Sequence, residues 1–156
     1  MRAIVQRVER AQVRVDQELV GAIGRGLLIY LGVGPQDDEQ VARHLAERLV
    51  GLRIFADAAG RMNRSLLEVG GGALLVSQFT LFADLRRGHR PSFISAGPPD
   101  LGQRLCQQVA GALSVLGVDP VAQGSFGAHM TVDSRNDGPV TIVASAGEPP
   151  WAADCG

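Results

Sequence analysis

Leu27-Leu28-Ile29-Tyr30-Leu31-Gly32-Val33 is a continuous apolar run, preceded by Gly24-Arg25-Gly26. It is apolar at every position rather than at alternate ones. That is how a strand covered on both faces reads, so the run predicts a sheet with packed material on each side. Upstream, Ala3, Val5, Ala11, Val13 and Val15 occupy odd positions, with breaks at Arg7 and Glu9. This is period-two patterning with a bulge or bend in the middle. Asp16-Gln17 reads as a hairpin turn into Leu19–Ile23.

Downstream of the run, Pro35 and Asp37 announce a helix, with Asp37 as its cap and Gln40 three residues on. Val41, Leu45, Leu49 and Leu52 then follow at helical spacing. Asp57-Ala58-Ala59-Gly60 and Gly70-Gly71-Gly72 are turns, with strands expected at Ser65–Val69 and Ala73–Phe79. Residues 83–99 have no clean period and read as a long loop. A second helix fits Asp100–Leu116, with Gly117 placed to end it. Val121-Ala122, then Ala128, Met130 and Val132, then Val140–Val143 are expected as final strands. About seven or eight strands and two main helices make a single α+β domain built in layers. Residues 1–144 form that domain, and 145–156 are expected to be a Gly/Pro/Ala-rich tail.

Composition excludes several classes. The 156 residues carry a formal net charge of −1, so the chain lacks the broad basic field of a general nucleic-acid binder. All 15 cationic residues are arginine, so no Schiff-base lysine exists. Two cysteines, Cys106 and Cys155, make neither a zinc motif nor a disulfide framework, and no metal or cofactor is expected. The N-terminus has no apolar core of a signal peptide, and no run is long enough to cross a bilayer, so no membrane partner is expected. The expected location is the cytoplasm.

Two stretches stand out chemically. Ser77-Gln78-Phe79-Thr80-Leu81 places hydrogen-bonding side chains at the end of the apolar strand Ala73–Val76. Open sheets place ligands at such strand ends, although a strand reaching solvent looks the same. Asn136-Asp137-Gly138-Pro139-Val140-Thr141 is a turn signal, either ordinary or built on a cis Gly–Pro bond that aims two carbonyls together. Arg86, Arg87 and Arg90, with His89 among them, are the best local cationic cluster. None of the three histidines makes a sequence-visible pair with a nucleophile.

In this order, about sixty residues apart, the two motifs resemble those of the D-aminoacyl-tRNA deacylases. So do Met1–Val8, Gly24–Leu28, Leu52-Arg53-Ile54-Phe55, Met62-Asn63, Arg90-Pro91-Ser92-Phe93 and Gly124-Ser125-Phe126-Gly127-Ala128. Phe82, His89 and Arg61 depart from the family's usual Tyr, Arg and Lys. The resemblance implies a β/β/α sandwich that acts as a homodimer on aminoacyl-tRNA, hydrolysing the ester of a D-amino acid. It implies that Gly138-Pro139 of one subunit enters the other's pocket, where their carbonyls hold the amino group and exclude an L side chain. Asn136 and Met130 join them on the substrate-binding side. Ser77, Gln78, Phe79 and Thr80 form the facing, catalytic wall, and Arg86, Arg87 and Arg90 are candidates for tRNA contact.

The chemistry agrees with that inventory. An activated ester needs orientation and oxyanion stabilisation more than a strong base. Water is favoured over Thr80 as nucleophile, and glycyl-tRNA should be tolerated. Two other readings are a noncatalytic nucleic-acid-binding dimer and a small-ester hydrolase using Ser77 or Thr80.

Overall fold

The computed structural model describes residues 1–86 and 88–147. Strand β1 (Arg2–Val15) turns through Asp16 and Gln17 into β2 (Glu18–Ile23). Both turn residues have positive φ, 47° and 71°, the backbone that matches the twist of a two-residue hairpin. Strand β3 (Gly26–Gly32) returns antiparallel to the first half of β1. Helix α1 (Glu39–Gly51) and a small hairpin, β4 (Phe55–Ala56) with β5 (Met62–Arg64), lead to β6 (Gly72–Ser77), parallel to β3. Helix α2 (Pro99–Val115) leads to β7 (Val121–Gln123), parallel to β6. Strand β8 (Thr131–Ser145) then runs antiparallel along the whole of β1. The sheet order is β2-β1-β3-β6-β7, with β8 on the other edge of β1.

Two apolar clusters hold these layers. On one side of the sheet Leu45, Leu49, Leu105, Val109 and Leu113 of the helices pack on Val5, Leu27, Ile29 and Leu75. On the other, the sheet curls over Val8, Ala11, Val13, Ile23, Leu28, Leu74 and Val76. The run 27–33 is therefore buried on both faces, as its pattern predicts: Leu27, Ile29 and Leu31 enter the first cluster and Leu28 the second. Each fully buried Leu or Val contributes about 1.5–3 kcal/mol.

Four local expectations are corrected. Asp37 does not cap α1; Asp38 does, accepting from the Val41 N–H at 2.9 Å. The Asp37 carboxylate is already taken by the Gly34 N–H at 2.6 Å and the Met1 ammonium at 2.7 Å. Ser65–Val69 is not a strand: Leu66 is buried and Leu67–Val69 form a 3-10 turn. The Glu68 carboxylate accepts from the Ser65 N–H at 2.6 Å, so Ser-Leu-Leu-Glu acts as a capping box. Strand β6 stops at Ser77, and Phe79–Phe82 form another 3-10 turn. The two expected last strands are one, β8, with Ala128 and Met130 ahead of it, so 136–141 is no ordinary turn between strands. At the C-terminal side β8 takes in Ser145, and Ala146 is buried with its N–H on the Met1 carbonyl at 3.1 Å. The rest of the expected tail, from residue 148, lies outside the described residues.

Candidate functional site

Ser77 is the last residue of β6, at the C-terminal edge of two parallel pairings. The Gln78 N–H still reaches the Leu31 carbonyl at 2.8 Å, after which the chain leaves the sheet. Phe79 and Thr80 open the following 3-10 turn, whose first amides have no acceptor within the turn. The Gln78 side-chain amide donates to Thr80 Oγ1. A donor on that oxygen cannot take its proton, so this contact does not activate Thr80 as a nucleophile. Phe79 is 58% exposed and meets Phe93 edge-on, with centroids 5.1 Å apart.

Beside Ser77 opens a pocket of about 210 Å³, lined by Leu75, Ser77, Gln103, Cys106, Gln107, Gln123, Gly124 and Phe126. Its lining offers one aromatic face and three carboxamides. Cys106 is the soft atom in its wall; burial pushes this thiol up to about 11, which keeps it protonated and unreactive at neutral pH. Met130 lies one layer back, partly buried, with its sulfur against Gly124: a Cβ on that glycine would stand 2.6 Å from it.

The second motif is a wide bulge inside β8. Asn136 pairs with Val8 and Thr141 with Gln6, so Asp137, Gly138, Pro139 and Val140 stand opposite Arg7 alone. The Gly138–Pro139 bond is cis, and Gly138 has φ +127°. Two β1 residues hold the bulge. Gln6 Oε1 accepts from Thr141 Oγ1 at 2.8 Å and from Asn136 Nδ2 at 3.4 Å. The Arg7 guanidinium reaches the Asp137 carbonyl at 3.2 Å, the Asp137 carboxylate at 3.0 Å and the Ile54 carbonyl. Asn136, Gly138 and Pro139 are exposed on the single chain.

The two motifs do not meet within one chain. Between β8 and β6 stand β1 and β3, three inter-strand steps or about 14 Å. Along the strands, Gly138 is level with Ala73, four residues short of Ser77. The offset is roughly 20 Å in all.

Of the three candidate arginines at 86–90, one is already paired. Arg86 forks onto Asp84, with Nε to Oδ1 at 2.9 Å and Nη2 to Oδ2 at 2.8 Å. That bond and the charge of Asp84 push the Arg86 pKa up and offset its charge. Arg87 lies outside the described residues, and Arg90 is exposed. His89 and His129 are exposed too.

Sequence reasoning missed Gln6 and Arg7, although the break in the β1 alternation at Arg7 was their signal. It also missed Gln103, Gln107 and Gln123 of the pocket, which polar positions on α2 and β7 do not announce.

Comparison with known proteins adds a family. Residues 4–145 match the model of a family described as D-Tyr-tRNA(Tyr) deacylase. A D-aminoacyl-tRNA deacylase of Roseiflexus sp. (strain RS-1) is 60% identical over 143 residues, 92% of each chain. One of Deinococcus radiodurans is 55% identical over 143 residues, covering 92% of this chain and 98% of that one. A solved structure named c-Myc DNA Unwinding Element Binding Protein superposes with a TM-score of 0.87 at 36% identity, over 96% of this chain and 99% of that one. A probable eukaryotic D-amino acid tRNA deacylase shares the fold at TM-score 0.79 and 20% identity, over 92% and 97% of the two chains.

Proposed function

This chain belongs to the D-Tyr-tRNA(Tyr) deacylase family, and on that premise we propose that it is a hydrolase cleaving the ester between a D-amino acid and the terminal ribose of tRNA. The pocket beside Ser77 takes the terminal nucleoside, with Phe126 to stack on the base and the carboxamides to bond its edge. The ester then lies over Phe79 and Thr80. Water attacks the ester carbonyl, the two main-chain N–H groups receive the charge that develops on its oxygen, and the ribose hydroxyl leaves with a proton. The neighbouring ribose hydroxyl orients the water, so no side-chain base is required. Thr80, held by Gln78, is part of the wall.

Chirality is selected by Gly138 and Pro139 of a second copy. Their carbonyls accept from the substrate's ammonium and fill the space an L side chain would need. The exclusion works by bulk, so many D side chains are accepted and glycine passes with them. Asn136 supports the bulge, and Met130 supports the pocket wall through Gly124.

The observation that carries this reading is the roughly 20 Å between the two motifs of one chain. An enclosed site needs both, so it needs a homodimer. Complementation tests it. Gly138→Ala spoils the bulge, and Ser77→Phe plugs the pocket; each variant alone is expected to be inactive. Mixed subunits should regain about a quarter of the wild-type sites, because each mixed dimer holds one intact pairing. No recovery after verified subunit exchange refutes the shared site.

The small-ester hydrolase reading, with Ser77 or Thr80 as nucleophile, predicts instead that Ser77→Ala or Thr80→Ala abolishes turnover. A noncatalytic nucleic-acid binder predicts tRNA binding with no hydrolysis of either enantiomer.

A further inference from the structure

We propose that the arginines around the β4–β5 hairpin, Arg53, Arg61 and Arg64 with Arg25 of the neighbouring β2–β3 turn, hold the sugar–phosphate backbone of the aminoacylated RNA end. This deepens the deacylase reading and rests on it. Placement is the first support. The Arg7 guanidinium spans from the Ile54 carbonyl, at the hairpin's base, to the Asp137 carboxylate in the bulge. Hairpin and Gly138–Pro139 are thus one unit, and a substrate that meets the bulge has the hairpin beside it.

Charge is the second support. Arg25 and the segment 53–68 hold four arginines against two carboxylates, Asp57 and Glu68. Both carboxylates are turned to local work. Asp57 accepts from the Ala59 and Arg61 N–H groups at 2.8 and 3.0 Å and from Asn63 Nδ2 at 3.2 Å. Glu68 accepts from the Ser65 N–H at 2.6 Å. Three of the cations also lean on neutral groups. Arg25 lies over the Phe55 ring at 5.4 Å, Arg53 donates to the Asn63 carbonyl at 2.7 Å, and Arg64 donates to the Glu68 carbonyl. Such partners fix a guanidinium without cancelling its charge, and although the Glu68 carboxylate also feels Arg64 and Arg53, four arginines against two carboxylates leave the patch positive. Arg61, its side chain 82% exposed, stands at 3.9 Å from Asp57. In the 86–90 loop, by contrast, Arg86 is spent on Asp84. Backbone contacts carry no sequence information, which suits an enzyme that must accept many tRNAs.

The test uses the R25Q/R61Q double variant, whose guanidinia do not build the hairpin turn, with R25K/R61K as the charge-restoring control. Binding of uncharged tRNA is followed by anisotropy across salt concentrations. The Gln variant should bind roughly tenfold more weakly at low salt, with the slope of log K against log salt reduced by about 1.5. The Lys variant should bind as the wild type does. Hydrolysis of D-aminoacyl-adenosine, which has no phosphate, should be unchanged in both. Unchanged tRNA affinity and slope in the Gln variant, or an equal loss on D-aminoacyl-adenosine, would overturn the proposal. If the wild type hydrolyses neither substrate, the deacylase reading fails, while the binding measurement still decides the surface.

Discussion

The end of β6 and the bulge of β8 are both places where a strand is interrupted, and they are interrupted differently. At Ser77 the strand simply stops, on the wall of a pocket that three glutamine side chains also line, and the chain leaves the sheet. At Gly138 the strand continues, and four residues are squeezed opposite one. The first region offers functional groups. The second offers only a main-chain shape, and side chains elsewhere, Gln6 and Arg7, keep it. Trimming a side chain at the first, as in Thr80→Ala, should therefore cost little, and adding one at the second should cost much, the reverse of what a search for reactive side chains would suggest.

The sharpest way to break that contrast is Gly138→Ala. The new Cβ would stand 2.9 Å from the Val140 nitrogen, on a backbone with φ +127° that L residues rarely adopt. Hydrolysis of D-aminoacyl-tRNA should fall by about 30- to 160-fold, as a strain of 2–3 kcal/mol at the bulge would require. Near-normal kcat/KM would mean the bulge is not part of the site.

Arg7→Met comes next. It removes charge-assisted bonds worth about 1.5–3 kcal/mol each before relaxation, so it should lower the melting temperature and let the bulge drift. The ratio of D to L cleavage should drop roughly tenfold or more. A stable variant with intact discrimination would free the bulge from Arg7.

Thr80→Ala tests the other side of the contrast. With water as nucleophile, kcat should stay within about tenfold of wild type. A loss of several orders would restore the threonine as nucleophile.

The smallest effect is at Cys106. Its folded pKa is raised from 9.0 to about 11 by burial, so the fold favours the neutral thiol. That contribution is full below pH 9 and is lost as pH rises from 9 towards 11. Cys106→Ser should remove this part of the alkaline instability and leave neutral-pH activity little changed. Iodoacetamide at pH 8 should label Cys106 about 100-fold more slowly in the folded chain than in the unfolded one.

Much of the layered fold was legible because apolar periodicity and covered faces are local signals. The run 27–33, the stripe of α2 and the Asp16-Gln17 turn all read correctly. What failed was competition between neighbours. Asp37 and Asp38 are equally good caps on paper, and only the pull of Met1 and Gly34 on Asp37 decides between them. Ser65–Glu68 carried a capping box that its apolar residues masked. At the candidate site, Ser77–Thr80 and Gly138-Pro139 were legible as motifs. Their separation and the grip of Gln6 and Arg7 were not, because strand order and cross-strand partners are non-local.

Strand β1 has a temporal side as well. It is made before the other described strands, yet its longest partner is β8, about 130 residues further on: Gln6 pairs with Thr141 and Arg2 with Ser145. Pairing at such a sequence separation is slow to close, and here it cannot begin until β8 has been made. The Gly138–Pro139 bulge is then among the last of the described parts to be set, and a chain cut short before β8 would carry the residues of the Ser77 pocket without it.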